Sequence, residues 1–335
     1  MESENDESWE WFFKQLSCII PDDGGLAIIS DRHKSIGKAI KTVYPKASRG
    51  ICTYHLYKNI LVRFRGQEAF GLVKKAADAF RLVDFHTTFN QIEALNPALH
   101  DYLERGDVRQ WTRVHFPGDR YNLLTSNIAE SMNKVMSHAR GFPIVELLET
   151  IRSMMTRWFS DRRNDALKMN TSLTRGVEKI LQSRVDYAKL LNVQDIDAHQ
   201  IQVTSASSLH VVNVKDKKCT CCRFDLEKLP CAHAIAAAEH RKVSRISMSH
   251  PYFYTNYLYS SYENTIMPRD FAQSVPEAVA KDVCLPPIPR QQAGRPKNSR
   301  IKSALEIAME KKKPRKLYTC GNCNQVGHNR KTCTS

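Results

Sequence analysis

The chain has 335 residues, 42% of them hydrophobic, which is enough for about two folded domains with a buried core. Lysine and arginine outnumber aspartate and glutamate by 50 to 35, and the resulting net charge of +15 favours a polyanionic partner, with nucleic acid as the first candidate. No stretch has the roughly 18 uncharged apolar residues of a membrane helix, and the N-terminus is acidic, so we expect neither a membrane-spanning nor a secreted protein.

The N-terminal 60 residues predict a parallel α/β unit. Apolar residues between positions 9 and 20 recur at helical spacing, and residues 26–30 (LAIIS) are typical of a short strand buried on both faces. A helix over residues 33–45 and a second strand over residues 49–57 follow, and this order implies a parallel sheet. Asp31 directly follows the first strand, where such sheets place active-site groups, although a turn or a helix cap is the more ordinary role for it.

Residues 58–163 give a mainly helical signal. A loop rich in turn formers interrupts it at residues 115–127, and a helix that contains Glu130 restarts within residues 125–136. Apolar residues from Ile144 to Trp158 then share one helical face.

The C-terminal half begins with an amphipathic helix predicted over residues 172–192. Two short antiparallel strands are predicted within residues 201–224, and a helix of strong helix formers over residues 231–241. Residues 285–318 are rich in proline, lysine and arginine, so we predict a basic linker that is disordered or partly helical.

Seven of the ten cysteines fall into two tight groups, each with a histidine, which is typical of metal ligands in a reducing compartment. The first group has the pattern Cys-x-Cys, nine residues, Cys-x-His, and its four members can close a tetrahedron around zinc. They are Cys219, Cys221, Cys231 and His233. Cys222 is left out because, in a strand, it would point to the opposite face from Cys221; a cluster of buried cysteines without metal is the alternative. The spacing resembles the SWIM-type zinc finger, which implies binding of DNA or protein.

The second group has the pattern Cys-x2-Cys-x4-His-x4-Cys within a segment too short to bury a core, so a metal is its only credible organiser. Its members are Cys320, Cys323, His328 and Cys333. This is the CCHC zinc-knuckle pattern, which commonly binds single-stranded nucleic acid, and we expect Arg330 and Lys331 to lie beside a phosphate chain.

The basic linker contains a second candidate for nucleic-acid contact. Arg295 and Lys297 lie in the sequence AGRPKNSR, which resembles an AT-hook core except that Ala293 stands where an arginine is usual; a solvated charged linker is the alternative. The run KKKPRK at residues 311–316 is typical of a nuclear localisation signal, so we expect the protein in the nucleus.

Taken together, the motifs resemble those of Mutator-like element (MULE) transposases of plants. The resemblance rests on SENDESWEWFFKQL, IISDRHKSI, CTYHLYKNI, FPGDRYNLLTSNIAESMNKVM, WFSDRR and the two cysteine groups. It implies an RNase H-like catalytic domain in which two aspartates and one glutamate hold two divalent metals. Asp31 then matches the second aspartate and Glu130 the glutamate, while Cys52 and His55 match a Cys-x2-His element near the site, with core packing as their alternative role.

The first catalytic aspartate of such a domain lies on a strand upstream of the segment that begins here at Met1. We therefore expect a C-terminal portion of a transposase whose catalytic site is incomplete, and a protein that binds zinc and DNA without being an enzyme. Mg²⁺ or Mn²⁺ is expected only if the site is complete. The alternatives are an active transposase completed by an upstream segment and a domesticated transcriptional regulator.

The predicted fold is α+β and helix-rich, with a truncated RNase H-like α/β core, a helical insertion and small zinc-binding modules. Zinc is expected at two sites. The expected partners are DNA and, through the finger, possible proteins; no association with a membrane is expected. The predicted organisation is a partial RNase H-like domain at 1–163 with its insertion near 62–125, connecting helices at 164–200, the finger at 201–245, its tail at 246–284, the linker at 285–318 and the knuckle at 319–335.

Overall fold

The structure is a computed structural model that describes residues 5–64, 67–268, 277, 319–323, 325, 326, 330, 331 and 333. The predicted linker with Arg295 and Lys297, and the predicted zinc ligand His328, lie outside the described residues. No helix among the described residues is long and apolar enough to span a bilayer.

The N-terminal unit is a short parallel sheet covered by two helices. Its elements in chain order are α1 (Asp6–Ser17), β1 (Ala27–Ser30), α2 (Lys34–Val43) and β2 (Ser48–Ile51). The strands β1 and β2 are parallel, with Ser30 opposite Ile51, so the carboxyl ends of both strands lie at the same edge. Helices α1 and α2 pack together through a small apolar core that includes Phe13, Ile40 and Tyr44.

The prediction of a second strand over residues 49–57 is wrong at its C-terminal end. The strand β2 stops at Ile51, and helix α3 (Thr53–Arg63) starts two residues later. The reason is the spacing of the buried side chains, since Leu56 and Ile60 are four residues apart and lie on one helical face towards the core. The chain therefore turns from strand to helix at Cys52, which precedes the first residue of α3.

A helical unit follows α3 and encloses its own core. Its further helices are α4 (Gln67–Asp78), α5 (Leu82–Leu95), α6 (Pro97–Glu104) and α7 (Val108–Trp111). Trp111 is fully buried at its centre, beside Phe85 and Phe89, and its Nε1 donates a hydrogen bond to the Leu103 carbonyl at 3.3 Å.

The next two helices carry few buried residues. Helix α8 (Asn127–Val135) has none, and Ala166 is the only buried residue described in the long helix α9 (Ile144–Leu167). A short 3₁₀ turn at Ala139–Gly141 joins them. The periodicity predicted a helix here correctly, but within the described part of the chain no residue of the predicted apolar face is fully buried: Ile144 and Leu148 are exposed, and the rest of that face is half-buried.

The C-terminal unit is a four-stranded antiparallel sheet packed between helices. Its elements are α10 (Arg175–Ala188), β3 (Asn192–Asp195), β4 (Gln200–Thr204), β5 (Leu209–Asn213), β6 (Lys218–Cys219), α11 (Arg223–Glu227), α12 (Ala232–His240), a 3₁₀ turn (Pro251–Phe253) and α13 (Thr255–Ser261). The strand order is β3-β4-β5-β6, so two strands were predicted in this region and two more are present. Buried residues of β4, β5 and α12 form one core with α10. The chain is thus helix-rich and α+β, as predicted at that level.

Candidate metal sites

The four predicted ligands of the first cysteine group lie together. Cys219 ends β6, Cys221 follows in a turn, Cys231 precedes α12, and His233 lies in the first turn of that helix. Their potential ligand atoms are all within 4.8 Å of one another. The Sγ atoms of Cys219 and Cys231 are each 3.8 Å from Nδ1 of His233, close to the spacing of about 3.3–3.8 Å between ligand atoms of a tetrahedral zinc site.

Hydrogen bonds of the neighbouring helices support this arrangement. The Sγ of Cys231 caps helix α12 by accepting a hydrogen bond from the Ala234 backbone N–H at 3.4 Å. The Cys219 backbone N–H donates to Asp225 Oδ2 at 3.1 Å and holds the end of β6 against α11. Hydrogen bonds from Cys219 and Cys231 lower the pKa of Cys221. Three sulphur atoms and one imidazole form a donor set that fits zinc.

Cys222 lies outside this group of ligands, but not for the reason predicted from the sequence. It is in no strand, since β6 is only two residues long; it has φ = 59° at the start of α11. Its Sγ donates to the Thr220 carbonyl at 3.7 Å. The left-handed backbone, rather than strand alternation, separates its side chain from that of Cys221.

A buried ion pair that the sequence did not predict supports the backbone just before Cys231. Arg184 on α10 donates to the Pro230 carbonyl at 2.9 Å and pairs with Glu227 at the end of α11. Both side chains are largely buried, at 13% and 8% exposure respectively. The partners are 43 residues apart in the sequence, so no local pattern indicates the pair.

The second cysteine group is described in part. The Sγ atoms of Cys320, Cys323 and Cys333 lie within 4.8 Å of one another. The Cys320 backbone N–H donates to the Gln325 carbonyl at 2.8 Å, which closes a tight turn between the first two cysteines and Val326. Arg330 and Lys331 are exposed beside this group. Because His328 lies outside the described residues, the fourth ligand stays a prediction.

Asp31 lies at the carboxyl edge of the parallel sheet and is exposed. Its Oδ1 accepts a hydrogen bond from the His33 backbone N–H at 3.2 Å, which is the geometry of an aspartate that organises a turn. The Cys52 backbone N–H donates to the Ser30 carbonyl at 2.7 Å, so Asp31 and Cys52 leave neighbouring strands side by side.

Glu130 reaches the same region of the fold from a distant part of the sequence. After the helical unit, the chain returns to the start of α3, where the Thr53 backbone N–H and Oγ1 donate to the Leu124 carbonyl at 2.9 and 3.0 Å. Helix α8 then begins, and Glu130 Oε1 lies 3.5 Å from His55 Nε2. The ligand atoms of Cys52, His55 and Glu130 are all within 4.8 Å of one another.

Ser126, the residue before α8, links this group. Its backbone N–H and Oγ donate to Cys52 Sγ at 3.2 and 3.3 Å, and its Oγ lies 3.4 Å from Glu130 Oε1. Burial tends to raise the pKa of the Cys52 thiol, but hydrogen bonding from His55 and Ser126 outweighs it and lowers the pKa to about 7. Hydrogen bonding to Cys52 raises the pKa of His55.

The structure therefore brings Glu130, Cys52 and His55 together but does not include Asp31 in that group. Among the described residues, no set of three close ligand atoms contains the Asp31 carboxylate. The catalytic role of Asp31 and Glu130 stays a prediction.

Comparison with protein families fits both regions. Residues 1–59 match the model of the MULE transposase domain, and residues 210–242 match that of the SWIM zinc finger. The chain therefore contains a segment similar to a MULE transposase domain and a segment similar to a SWIM zinc finger, the two motifs that the sequence predicted. The close Cys/His group within the SWIM segment suggests zinc binding. No curated protein matches the chain.

The two matches divide the candidate residues. The SWIM segment contains all four ligands of the first cysteine group, and the MULE segment contains Asp31, Cys52 and His55. Glu130 lies beyond the MULE segment.

Proposed function

We propose that this MULE-derived protein binds DNA in the nucleus through zinc-organised modules and does not cleave it. The observation that carries the proposal is the group formed by Cys219, Cys221, Cys231 and His233, whose ligand atoms lie within 4.8 Å of one another inside the SWIM segment. A bound zinc would fix the β5–β6 hairpin against α12 and so present one rigid surface.

The hairpin that leads into the zinc ligands is basic. Lys215, Lys217 and Lys218 are exposed along it, and Lys217 Nζ donates to the Ser247 carbonyl at 2.7 Å. Exposed lysines at the edge of a rigid module suit contacts to phosphates, which supply affinity without sequence information. The net charge of +15 supports the same partner. We assign the main duplex contacts to this hairpin and single-stranded contacts to the knuckle, beside Arg330 and Lys331.

Metal analysis of the purified full chain tests the zinc part of the proposal. We expect one equivalent of zinc from the SWIM finger and one from a CCHC knuckle completed by His328. Cys231→Ser should remove the first equivalent and Cys323→Ser the second, while the exposed Cys18→Ser should remove neither. A purified chain that contains no zinc, or a Cys231→Ser variant that keeps its full content, would refute the proposed role of the finger.

A salt series tests the DNA part. Fluorescence anisotropy with a labelled duplex should give an affinity that falls steeply as salt rises. Replacing both Lys215 and Lys218 by alanine should reduce the slope of log K against log salt by about 0.9 for each phosphate that the variant no longer neutralises. Lys14→Ala on α1 is the control, because it also removes one positive charge but lies outside the hairpin. The Lys14 side chain pairs with Glu10 at 2.7 Å, and we expect it to contact no phosphate. Equal slopes for the wild type and the double variant would reject the hairpin as the contact surface.

The proposed absence of cleavage rests on the carboxylates. We interpret β1, α2, β2, α3 and α8 as part of an RNase H-like core with helices α4–α7 as its insertion, since the Thr53–Leu124 hydrogen bonds bring the chain back from the helical unit to the end of β2. A two-metal site needs several oxygen ligands around both ions. Glu130 instead has a thiol and an imidazole as its close neighbours, and Asp31 is held in a turn.

DNA cleavage is the second candidate function, favoured by the position of Asp31 at the carboxyl end of a parallel strand. Incubation of terminal-repeat DNA with the full chain and Mg²⁺ or Mn²⁺ distinguishes the two. Products that appear with the wild type and disappear with Asp31→Asn would establish cleavage and overturn the proposal of a binding protein.

A further inference from the structure

We propose that Cys52, His55 and Glu130 form a zinc site of their own, separate from both cysteine groups of the C-terminal half. The site joins the start of α3 to the first turns of α8, and it binds a transition metal of the zinc class through one sulphur, one nitrogen and one oxygen. The inference goes beyond the proposed function, because neither the finger nor the knuckle requires it.

The geometry is close to that of a formed site. Zinc bonds of about 2.0–2.3 Å in a tetrahedron place ligand atoms about 3.3–3.8 Å apart. His55 Nε2 and Glu130 Oε1 are 3.5 Å apart, and no pair of ligand atoms in the group exceeds 4.8 Å. Shifts of about 1 Å or less, within the reach of side-chain rotation, would bring all three into coordination distance.

The side chains also leave a polar group for which the described part of the chain supplies no well-directed partner. His55 Nδ1 is buried and forms no hydrogen bond with the described residues, which is costly unless a ligand or a water satisfies it. The other ring nitrogen faces Glu130. A metal held at either nitrogen would orient the ring, and a water could then serve the remaining one.

Ser126 has the position of a supporting residue behind two of the ligands. It donates two hydrogen bonds to Cys52 Sγ and lies 3.4 Å from Glu130 Oε1, so it favours a thiolate and holds the carboxylate near it. Such outer contacts are the usual way in which proteins orient metal ligands.

The donor set selects the metal. A thiolate prefers zinc and similar soft or borderline ions, whereas Mg²⁺ prefers oxygen ligands alone. Cys52 is fully buried, but the side chains of His55 and Glu130 are 35% and 42% exposed, which leaves an entry path and an open position for water. Three protein ligands and one open position are typical of zinc sites that exchange a ligand.

The decisive measurement is the zinc content of the full chain. The wild type should carry one equivalent more than Cys52→Ser and one more than Glu130→Gln. The controls are Cys18→Ser, an exposed thiol, and Glu93→Gln, an exposed carboxylate on α5, and both should keep the wild-type content. Cys52 is buried, so its replacement can disturb folding. The Glu130→Gln variant changes a partly exposed residue instead, and a circular-dichroism spectrum of each variant shows whether a loss of zinc is due to unfolding.

Cobalt substitution adds a spectroscopic readout. The difference spectrum between Co²⁺-loaded wild type and Cys52→Ser should show a sulphur-to-cobalt charge-transfer band, and it should persist in a Cys231→Ser background. If Cys52→Ser and Glu130→Gln fold and keep the wild-type zinc content and cobalt spectrum, the group is a thiolate–imidazolium pair without metal and the proposal is wrong. If only Cys231→Ser loses zinc, the proposed Cys52–His55–Glu130 site is also wrong, whereas the proposed zinc site of the finger stands.

Discussion

The buried pair of Arg184 and Glu227 predicts a large effect from a residue that binds no metal. Replacing Arg184 by methionine keeps much of the side-chain volume but leaves the Glu227 carboxylate, only 8% exposed, without its main partner. It also removes the donor to the Pro230 carbonyl beside Cys231. Removing one partner of a buried ion pair typically costs about 3–5 kcal/mol.

The structure places the expected cost at the lower end of that range. Arg223 Nε lies 3.7 Å from Glu227 Oε1 and offers partial compensation. A loss of about 3 kcal/mol corresponds to roughly a 100- to 200-fold increase in the opening equilibrium. We therefore expect amides of α12 to exchange that much faster in Arg184→Met when exchange occurs through opening of this unit.

Hydrogen exchange read by mass spectrometry, with peptides from α12 in zinc-saturated buffer, provides the assay. Arg175→Met, an exposed position on the same helix α10, is the matched control and should change exchange little. A double variant, Arg184→Met with Glu227→Leu, should recover much of the loss because no charge is then left buried. Exchange in Arg184→Met within about threefold of the wild type would refute the reasoning, since it would mean that the pair contributes less than about 1 kcal/mol.

Three further predictions concern the helical unit and its contact with the finger. Trp111→Ala should lower the free energy of unfolding by about 3–5 kcal/mol in a urea titration, because it empties a fully buried site beside Phe85. Burial lowers the pKa of His115, so the neutral ring contributes to stability above the unfolded pKa of about 6.5, and this contribution is lost as the pH falls below that value. The melting temperature of the wild type should therefore fall between pH 7 and pH 5, and it should fall less in His115→Gln. Lys228→Met should cost under about 1 kcal/mol in a urea titration, because its ion pair with Asp119 at 2.9 Å is partly exposed.

Local patterns in the sequence were sufficient for the elements near the sites. The apolar run of β1, the helical period of α2 and the alanine-rich α12 are each determined by neighbouring residues, so the sequence alone located them. Spacing also predicted which residues of the first cysteine group lie together, because Cys219 and Cys221 are close to one another at the end of β6 and Cys231 and His233 open one helix.

The features that escaped prediction depend on contacts between distant residues. The strand β3 has the polar sequence NVQD and is a strand because it pairs with β4, not because its residues favour one. The end of β2 at Ile51 depends on burial of Leu56 and Ile60 against helices far along the chain. Ser126 serves Cys52 across 74 residues, a relation that no local signal marks.

The same long-range contacts explain why the region around Glu130 and the SWIM finger differ in their dependence on the rest of the fold. All four SWIM ligands come from 15 consecutive residues, so the finger can assemble once β5, β6 and α12 are formed. Glu130, in contrast, reaches His55 only if α3–α7 fold and return the chain to Thr53. Damage to the core around Trp111 should therefore separate Glu130 from Cys52 and His55 while leaving Cys219, Cys221, Cys231 and His233 together. It follows that the Glu130 region can be lost while the finger remains, and zinc binding by the finger can persist in a chain in which Glu130 no longer reaches Cys52 and His55.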